Sequence, residues 1–232
     1  MRLIYILVFA LSLLLAGAAV QKWGAAELRA NFTGVAFITL IALPWLIAAT
    51  MLFAWFGLSL RDDVAERKNT AALVALCGAL AGVAFTYIGG NLGEGPSYWN
   101  NFYSVGLATI GFFGLWLVLE IVANVSISVA EERDLASGVR LGGLLLAMGL
   151  VLGRAVAGDW HSTEGTFHDF VHDGWPAGLL CVLAIPVEFA DRPSRHRPFP
   201  SWLSAGLLPA VGYLVLAAGW LWWVGRWEGM GR

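Results

Sequence analysis

The chain has 232 residues, of which 59% are hydrophobic and 13% are charged, and its formal net charge is −2. A soluble domain normally carries about 25% charged residues, so the composition excludes that class, and the nearly neutral charge predicts no nucleic-acid partner. Several uncharged runs reach the length of about 20 residues with which a helix crosses a bilayer. Because these runs are continuous rather than alternating, they predict helices and exclude a β-barrel.

The hydrophobic runs predict one all-α integral membrane domain over residues 1–232, a single bundle of about seven transmembrane helices. The spans lie near 3–20, 34–60, 70–90, 103–130, 137–157, 174–190 and 204–225. The first span also resembles a signal peptide, because Arg2 precedes an apolar stretch that ends in small residues. Its length suits a retained helix equally well, so the sequence leaves cleavage of residues 1–20 open.

Positive charges in the connections predict the orientation of the bundle. The connections 61–69, 131–140 and 191–203 carry three, two and three Lys or Arg residues, whereas 91–102 and 158–173 carry none. Positively charged connections normally stay in the cytoplasm. We therefore expect a cytoplasmic N-terminus and an external C-terminus, in the cytoplasmic (inner) membrane of a bacterium.

The connection 158–173 holds three of the four histidines between two predicted spans. In a helix, four of its side chains would share one face: His161, Glu164, His168 and His172. His168 and His172 have the i, i+4 spacing at which two imidazoles share one metal ion. The favoured interpretation is an amphipathic interfacial helix, with its histidines and acids facing water. A divalent transition-metal site at these residues and a histidine pH sensor are the alternatives.

The connection 87–101 is rich in glycine and contains Pro96, a composition that predicts a tight turn rather than a helix. The orientation places this connection on the same side of the membrane as 158–173. Asn91 and Glu94 are therefore candidate ligands that would complete a metal site with the two histidines.

A faint repeat links two predicted hairpins, 91–130 and 161–190. The pair Glu94-Gly95 resembles Glu164-Gly165, and the span that follows each pair ends near a glutamate: Glu120 and Glu188. Both hairpins run in the same direction, so the pattern indicates a parallel duplication rather than an inverted one.

Glu120 is the acidic residue that the sequence places deepest inside a predicted span. Asn124 follows on the same helical face, and a polar stripe of this kind normally faces the bundle. A carboxylate at the bilayer centre costs about 2.5–3.5 kcal/mol on insertion scales, so it is expected to be protonated, paired or hydrated. One hypothesis is a proton or ion relay through Glu120 and Asn124, with Arg140 as candidate partner. The other is a structural hydrogen bond to a neighbouring helix.

The motifs of the usual intramembrane proteases and hydrolases are absent from the sequence, which argues against an enzyme. The favoured function is a non-catalytic subunit or scaffold of a larger membrane complex. Its partners would be the lipid bilayer and other membrane subunits, which would contact helix surfaces rich in Trp, Gly and Ala. The alternatives are a small transporter or ion-conducting protein that uses Glu120, or a membrane protein with an external metal as its cofactor at His168 and His172.

Overall fold

The computed structural model describes residues 1–194 and 200–225 as a bundle of helices. Seven of these helices are long and apolar enough to cross a membrane, which confirms the all-helical class and the number of spans. In chain order the helices are α1 (Arg2–Trp23), the short α2 (Ala26–Arg29), α3 (Phe32–Leu52), α4 (Thr70–Gly89), α5 (Tyr98–Ala123), α6 (Leu135–Ala155), α7 (Thr163–Asp191) and α8 (Leu208–Val224). Residues 195–199, part of a connection on which the predicted orientation depends, lie outside the described residues.

Two predicted spans, 103–130 and 174–190, have the wrong bounds. The first is interrupted after α5, because Asn124 adopts a left-handed conformation (φ 48°, ψ 47°) and a separate π-helical turn follows at Ile127–Glu131. Asparagine tolerates this region better than most residues. The second span begins much earlier, at Thr163, because the Ser162 side chain accepts a hydrogen bond from the Gly165 N–H at 2.9 Å and caps α7.

Helices α4 and α6 form the centre of the bundle and run parallel to each other. Gly78 lies against Gly142 towards one end, and Gly89 lies against Gly153 at the other. A Cβ atom on Gly142 would stand 2.8 Å from the carbonyl oxygen of Val74, which is closer than real Cβ atoms approach. Glycine therefore permits the backbone contact between the two central helices, as small residues do in other membrane bundles.

The outer helices are joined to one another and to the centre by hydrogen bonds between spans. Tyr5 of α1 bonds through its hydroxyl to Thr50 Oγ1 of α3 at 2.8 Å. Tyr87 of α4 donates its hydroxyl proton to the Ile38 carbonyl oxygen of α3 at 2.6 Å. These bonds hold α1 and α3 in the bundle and give the two buried hydroxyls partners.

The hairpins α4–α5 and α6–α7 share landmarks at the end of the bundle that carries the connections 57–69 and 124–134, named here the arginine end. Lys68 and Arg133 both have φ 56°, and each stands directly before the residue that caps a central helix. The caps are Asn69 for α4 and Asp134 for α6. Both central helices therefore begin with the same local structure.

The opposite end, named here the histidine end, carries the connections 24–31, 90–97 and 156–162. Gly93 and Gly158 both have positive φ, at 100° and 143°, and each is followed by an acidic residue. Glu94 therefore corresponds to Asp159, not to Glu164 as the sequence comparison indicated. The hairpins run in the same direction, as the repeat predicts, and the structural register corrects this part of the alignment.

Candidate functional site

Arg140 and Glu188 form a buried ion pair between α6 and α7, towards the arginine end. Arg140 Nε donates to Glu188 Oε1 at 2.6 Å, and Arg140 Nη2 donates to Glu188 Oε2 at 2.6 Å. Arg140 is 0% exposed and Glu188 is 3% exposed. The predicted partnership of Arg140 with Glu120 is wrong, because the face of α6 that carries Arg140 packs against α7 and the start of α8.

Arg140 also fixes the π-helical turn Trp202–Leu207, which leads into α8. Arg140 Nη1 donates to the carbonyl oxygen of Ala205 in that turn. A similar anchor lies one hairpin earlier, where Asn69 Nδ2 donates to the Val129 carbonyl oxygen at 2.7 Å. The π-helical pattern changes the partners of backbone carbonyls, and side-chain donors satisfy two of them here. Both side chains therefore act as static anchors between successive helices.

Glu120 lies in the last turn of α5, not in the middle of a span. Its Oε1 atom accepts a hydrogen bond from Trp116 Nε1 at 3.3 Å, and its Oε2 atom accepts one from the Ser126 N–H at 3.1 Å. Asn124 is the exposed residue that ends α5, so it does not continue a polar stripe along the helix. The carboxylate thus caps the backbone at the next turn. The relay through Glu120 and Asn124 stays a prediction, and these contacts favour the structural alternative.

The variant Glu120→Gln is expected to fold and to lose about 1 kcal/mol of stability. An amide keeps one acceptor oxygen but loses the other, so one of the two hydrogen bonds disappears. The free energy of unfolding in detergent and the proton flux into proteoliposomes measure the two consequences. The exposed Glu132→Gln is the control for loss of charge at the same end. A wild-type proton flux that disappears only in Glu120→Gln would restore the relay hypothesis.

The histidine-rich stretch forms the first turns of α7, so it is not a separate interfacial helix. His161 stands before the helix cap, and only Glu164, His168 and His172 have helical positions. The imidazole rings of His168 and His172 stack with centroids 6.1 Å apart, and His172 Nδ1 shares a hydrogen bond of 2.9 Å with Asp173 Oδ1.

The metal-site prediction gains no support from this arrangement. Within residues 1–194 and 200–225, no three His, Cys, Asp or Glu side chains are arranged to hold a metal ion. The side chains of His168 and His172 are largely exposed. Binding of a divalent metal by these residues therefore stays a prediction from their spacing alone.

Asn91 and Glu94 join connections at the histidine end. Asn91 Nδ2 donates to the Tyr87 carbonyl oxygen at 2.8 Å, and Asn91 Oδ1 accepts from Asn101 Nδ2 at 3.2 Å. Glu94 Oε1 accepts from the Ala26 N–H at 2.7 Å. The structure thus gives each of these candidate ligands a role in holding the connections together.

A groove of about 450 Å³ opens sideways between α7 and α8. Its lining is almost entirely apolar and includes Trp175, Leu179, Leu183, Leu216, Trp220 and Trp223. Helix α8 carries Gly219 in this lining and Gly212 two turns earlier, and an added Cβ at either would meet no atom of the described chain within 4 Å. These glycines therefore face away from the bundle, in contrast to the glycines between α4 and α6.

No protein-family model, curated protein or solved structure matches the chain. The function is therefore argued from the geometry of the bundle.

Glu188 is the structurally central residue that sequence reasoning treated only as the end of a span. The sequence does contain a signal for it. Like Glu120, Glu188 is an acidic residue near the end of a long apolar run, where a carboxylate needs a partner. Glu188 lies near the end of one span, and Arg140 lies near the start of the span before it. The two residues are therefore at the same end of neighbouring spans, which indicates the ion pair.

Proposed function

We propose that this chain is a non-catalytic subunit of a larger membrane complex, and that the face of α7 and α8 binds a transmembrane helix of another subunit. The observation that carries the proposal is the pair of outward-facing glycines on α8, Gly212 and Gly219, beside the tryptophan-lined groove. Small residues on a membrane helix allow a second helix to approach its backbone closely. Helices α4 and α6 use glycine in this way inside the chain.

The fold of the chain itself does not require glycine at these two positions. Glycine in a helix interior costs about 1 kcal/mol relative to alanine, and no atom of residues 1–194 and 200–225 blocks a side chain there. Residues at i and i+7 lie on the same helical face, so Gly212 and Gly219 form one shallow surface with Val215 and Leu216 between them. A helix packed on this surface accounts for both glycines and would cover the exposed Val215 and Leu216.

The polar groups inside the spans support a scaffold rather than a transporter. Arg140, Glu188 and Glu120 all bind fixed partners that hold helices and turns in place. Buried ion pairs of this kind specify how elements pack. We place the bundle in the cytoplasmic membrane of a bacterium, with the N-terminus in the cytoplasm and the histidine end outside, as the charges of the connections predict.

A photocrosslinking amino acid at Val215, which is 63% exposed, tests the proposal in native membranes. We expect one discrete adduct with a transmembrane chain, which should disappear when Gly212→Leu and Gly219→Leu are combined. The added side chains should leave the chain itself folded, since nothing of the described chain lies within 4 Å of either Cβ position.

Two open glycines of α5 give the matched control. Gly106→Leu and Gly114→Leu add the same side chains at positions where no described atom lies within 4 Å of an added Cβ. This variant should retain the adduct. A crosslinker at Leu40 of α3, which is 66% exposed, should yield no discrete adduct. An adduct composed of two copies of this chain, or lipid adducts alone, would overturn the proposal.

A further inference from the structure

A polar cavity of about 300 Å³ lies at the histidine end. Its wall is built from the connections 90–97 and 156–162 and from the first turns of α5 and α7. The lining includes the six charged and polar residues on which the following argument depends: Glu94, Ser104, Arg154, Asp159, Asp169 and Asp173. This volume falls at the lower end of small-molecule sites and is close to that of about ten water molecules.

Backbone hydrogen bonds fix the two connections that form the wall. The Gly158 N–H donates to the Leu92 carbonyl oxygen at 3.2 Å, and the Trp160 N–H donates to the Glu94 carbonyl oxygen at 2.7 Å. The Glu94 N–H donates to Asp159 Oδ1 at 2.7 Å. These bonds join the connection of one hairpin to the connection of the other, and they therefore fix the shape of the cavity wall.

The lining is strongly acidic. Glu94, Asp159, Asp169 and Asp173 contribute four carboxylates against the single guanidinium of Arg154. His161 is the one further titratable group of the lining. A concave wall with this excess of one sign concentrates cations.

These carboxylates keep acceptor atoms for an occupant. Glu94 binds the Ala26 N–H through Oε1, and Asp159 binds the Glu94 N–H through Oδ1. Asp173, which is 7% exposed, contacts His172 through Oδ1. In the part of the chain that the structure describes, the second oxygen of each carboxylate makes no hydrogen bond.

Ser104 gives an independent indication of a ligand. The residue is only 5% exposed and lines the cavity, and its hydroxyl oxygen, which keeps accessible surface there, makes no hydrogen bond with any described residue. Buried hydroxyls are nearly always bonded to protein or to an occupant such as water. The Ser104 hydroxyl, on α5, and the Asp173 carboxylate, on α7, thus offer hydrogen-bonding groups from two helices.

We propose that this cavity binds a small organic cation that carries ammonium groups. An ammonium group donates three hydrogen bonds and accepts none, which complements a wall of carboxylate oxygens and a hydroxyl. A bare metal ion fits less well, because no three carboxylate or imidazole groups among the described residues are arranged around one point. Trp160, also in the lining, adds an aromatic ring of the kind that cations contact. This site is separate from the α7–α8 face, so either proposal stands without the other.

Isothermal titration calorimetry of the full chain in nanodiscs with spermidine tests the proposal. The comparison ligands are 1,4-butanediol, which is neutral, and MgCl₂, added at the same concentration of positive charge as spermidine. We expect saturable binding of spermidine only. Asp173→Asn should weaken it about tenfold, as expected for loss of a buried charged hydrogen-bond partner. Asp169→Asn is more exposed and cannot disturb the core, and it should weaken binding about threefold.

Asp62→Asn is the matched control, because it removes an exposed carboxylate at the arginine end and should leave binding unchanged. Absence of saturable spermidine binding would overturn the proposal. Equal affinities in Asp169→Asn and Asp62→Asn would also overturn it, since binding would then follow the overall charge alone. Binding of Mg²⁺ with the same affinity as spermidine would also overturn the proposal, because it would show that the cavity binds a metal ion rather than an organic cation.

Discussion

The variant Arg140→Ala is expected to lose about 3–5 kcal/mol of stability, because it leaves the Glu188 carboxylate buried without its partner. Glu188 is 3% exposed, and among the described residues both of its oxygens bind the guanidinium alone. The same change removes the donor to Ala205, so the start of α8 also loses an anchor. Unfolding of the purified chain in mixed micelles with increasing SDS measures the free energy.

Two further variants separate the charge from the packing. The double variant Arg140→Met with Glu188→Leu removes both charges and should recover most of the lost stability, since well-packed apolar residues often replace buried ion pairs at little cost. Tyr213→Phe, on α8, is the control, because the buried Tyr213 hydroxyl has no hydrogen-bond partner among the described residues. It should be as stable as the wild type. Equal stability of Arg140→Ala and Tyr213→Phe would contradict a structural role for the ion pair.

The number and class of the spans could be predicted because both depend on summed hydrophobicity over about 20 residues. The bounds depend on single residues. One left-handed residue, Asn124, divides the predicted span 103–130, and one cap, Ser162, starts α7 well before its apolar part. Glycine has low helix propensity, yet α7 continues through Gly165 and Gly174. A glycine costs only about 1 kcal/mol, which capping and packing of a long helix offset.

The sequence could predict which charged residues belong to the candidate site but not how they pair. The sequence identified Arg140 and Glu120 as charged groups near spans, but the partner of Arg140 depends on which faces of α6 and α7 meet. That rotation is set by close glycine contacts with α4 and by the turn at Ala205, and both involve residues far apart in the chain. Arg140 consequently binds Glu188, and Glu120 binds groups of its own hairpin.

The variant Gly82→Ala is expected to lose about 3 kcal/mol of stability, although alanine is the better helix former by about 1 kcal/mol. An added Cβ would stand 2.6 Å from the Leu145 carbonyl oxygen and 2.8 Å from Cε2 of Phe112. The backbone oxygen cannot move without separating α4 from α6, so the clash opens the centre of the bundle. Unfolding in SDS mixed micelles measures the loss.

Gly114→Ala is the matched control, because it makes the same change in a helix where an added Cβ has no neighbour within 4 Å in the described part of the chain. It should gain up to about 1 kcal/mol from helix propensity. Gly142→Ala should fall between the two, since its closest contact, with the Val74 oxygen, is 2.8 Å and its next is 3.4 Å. This order follows from the distance to backbone atoms alone. Equal stability of Gly82→Ala and Gly114→Ala would show that the central helices do not meet at the glycines.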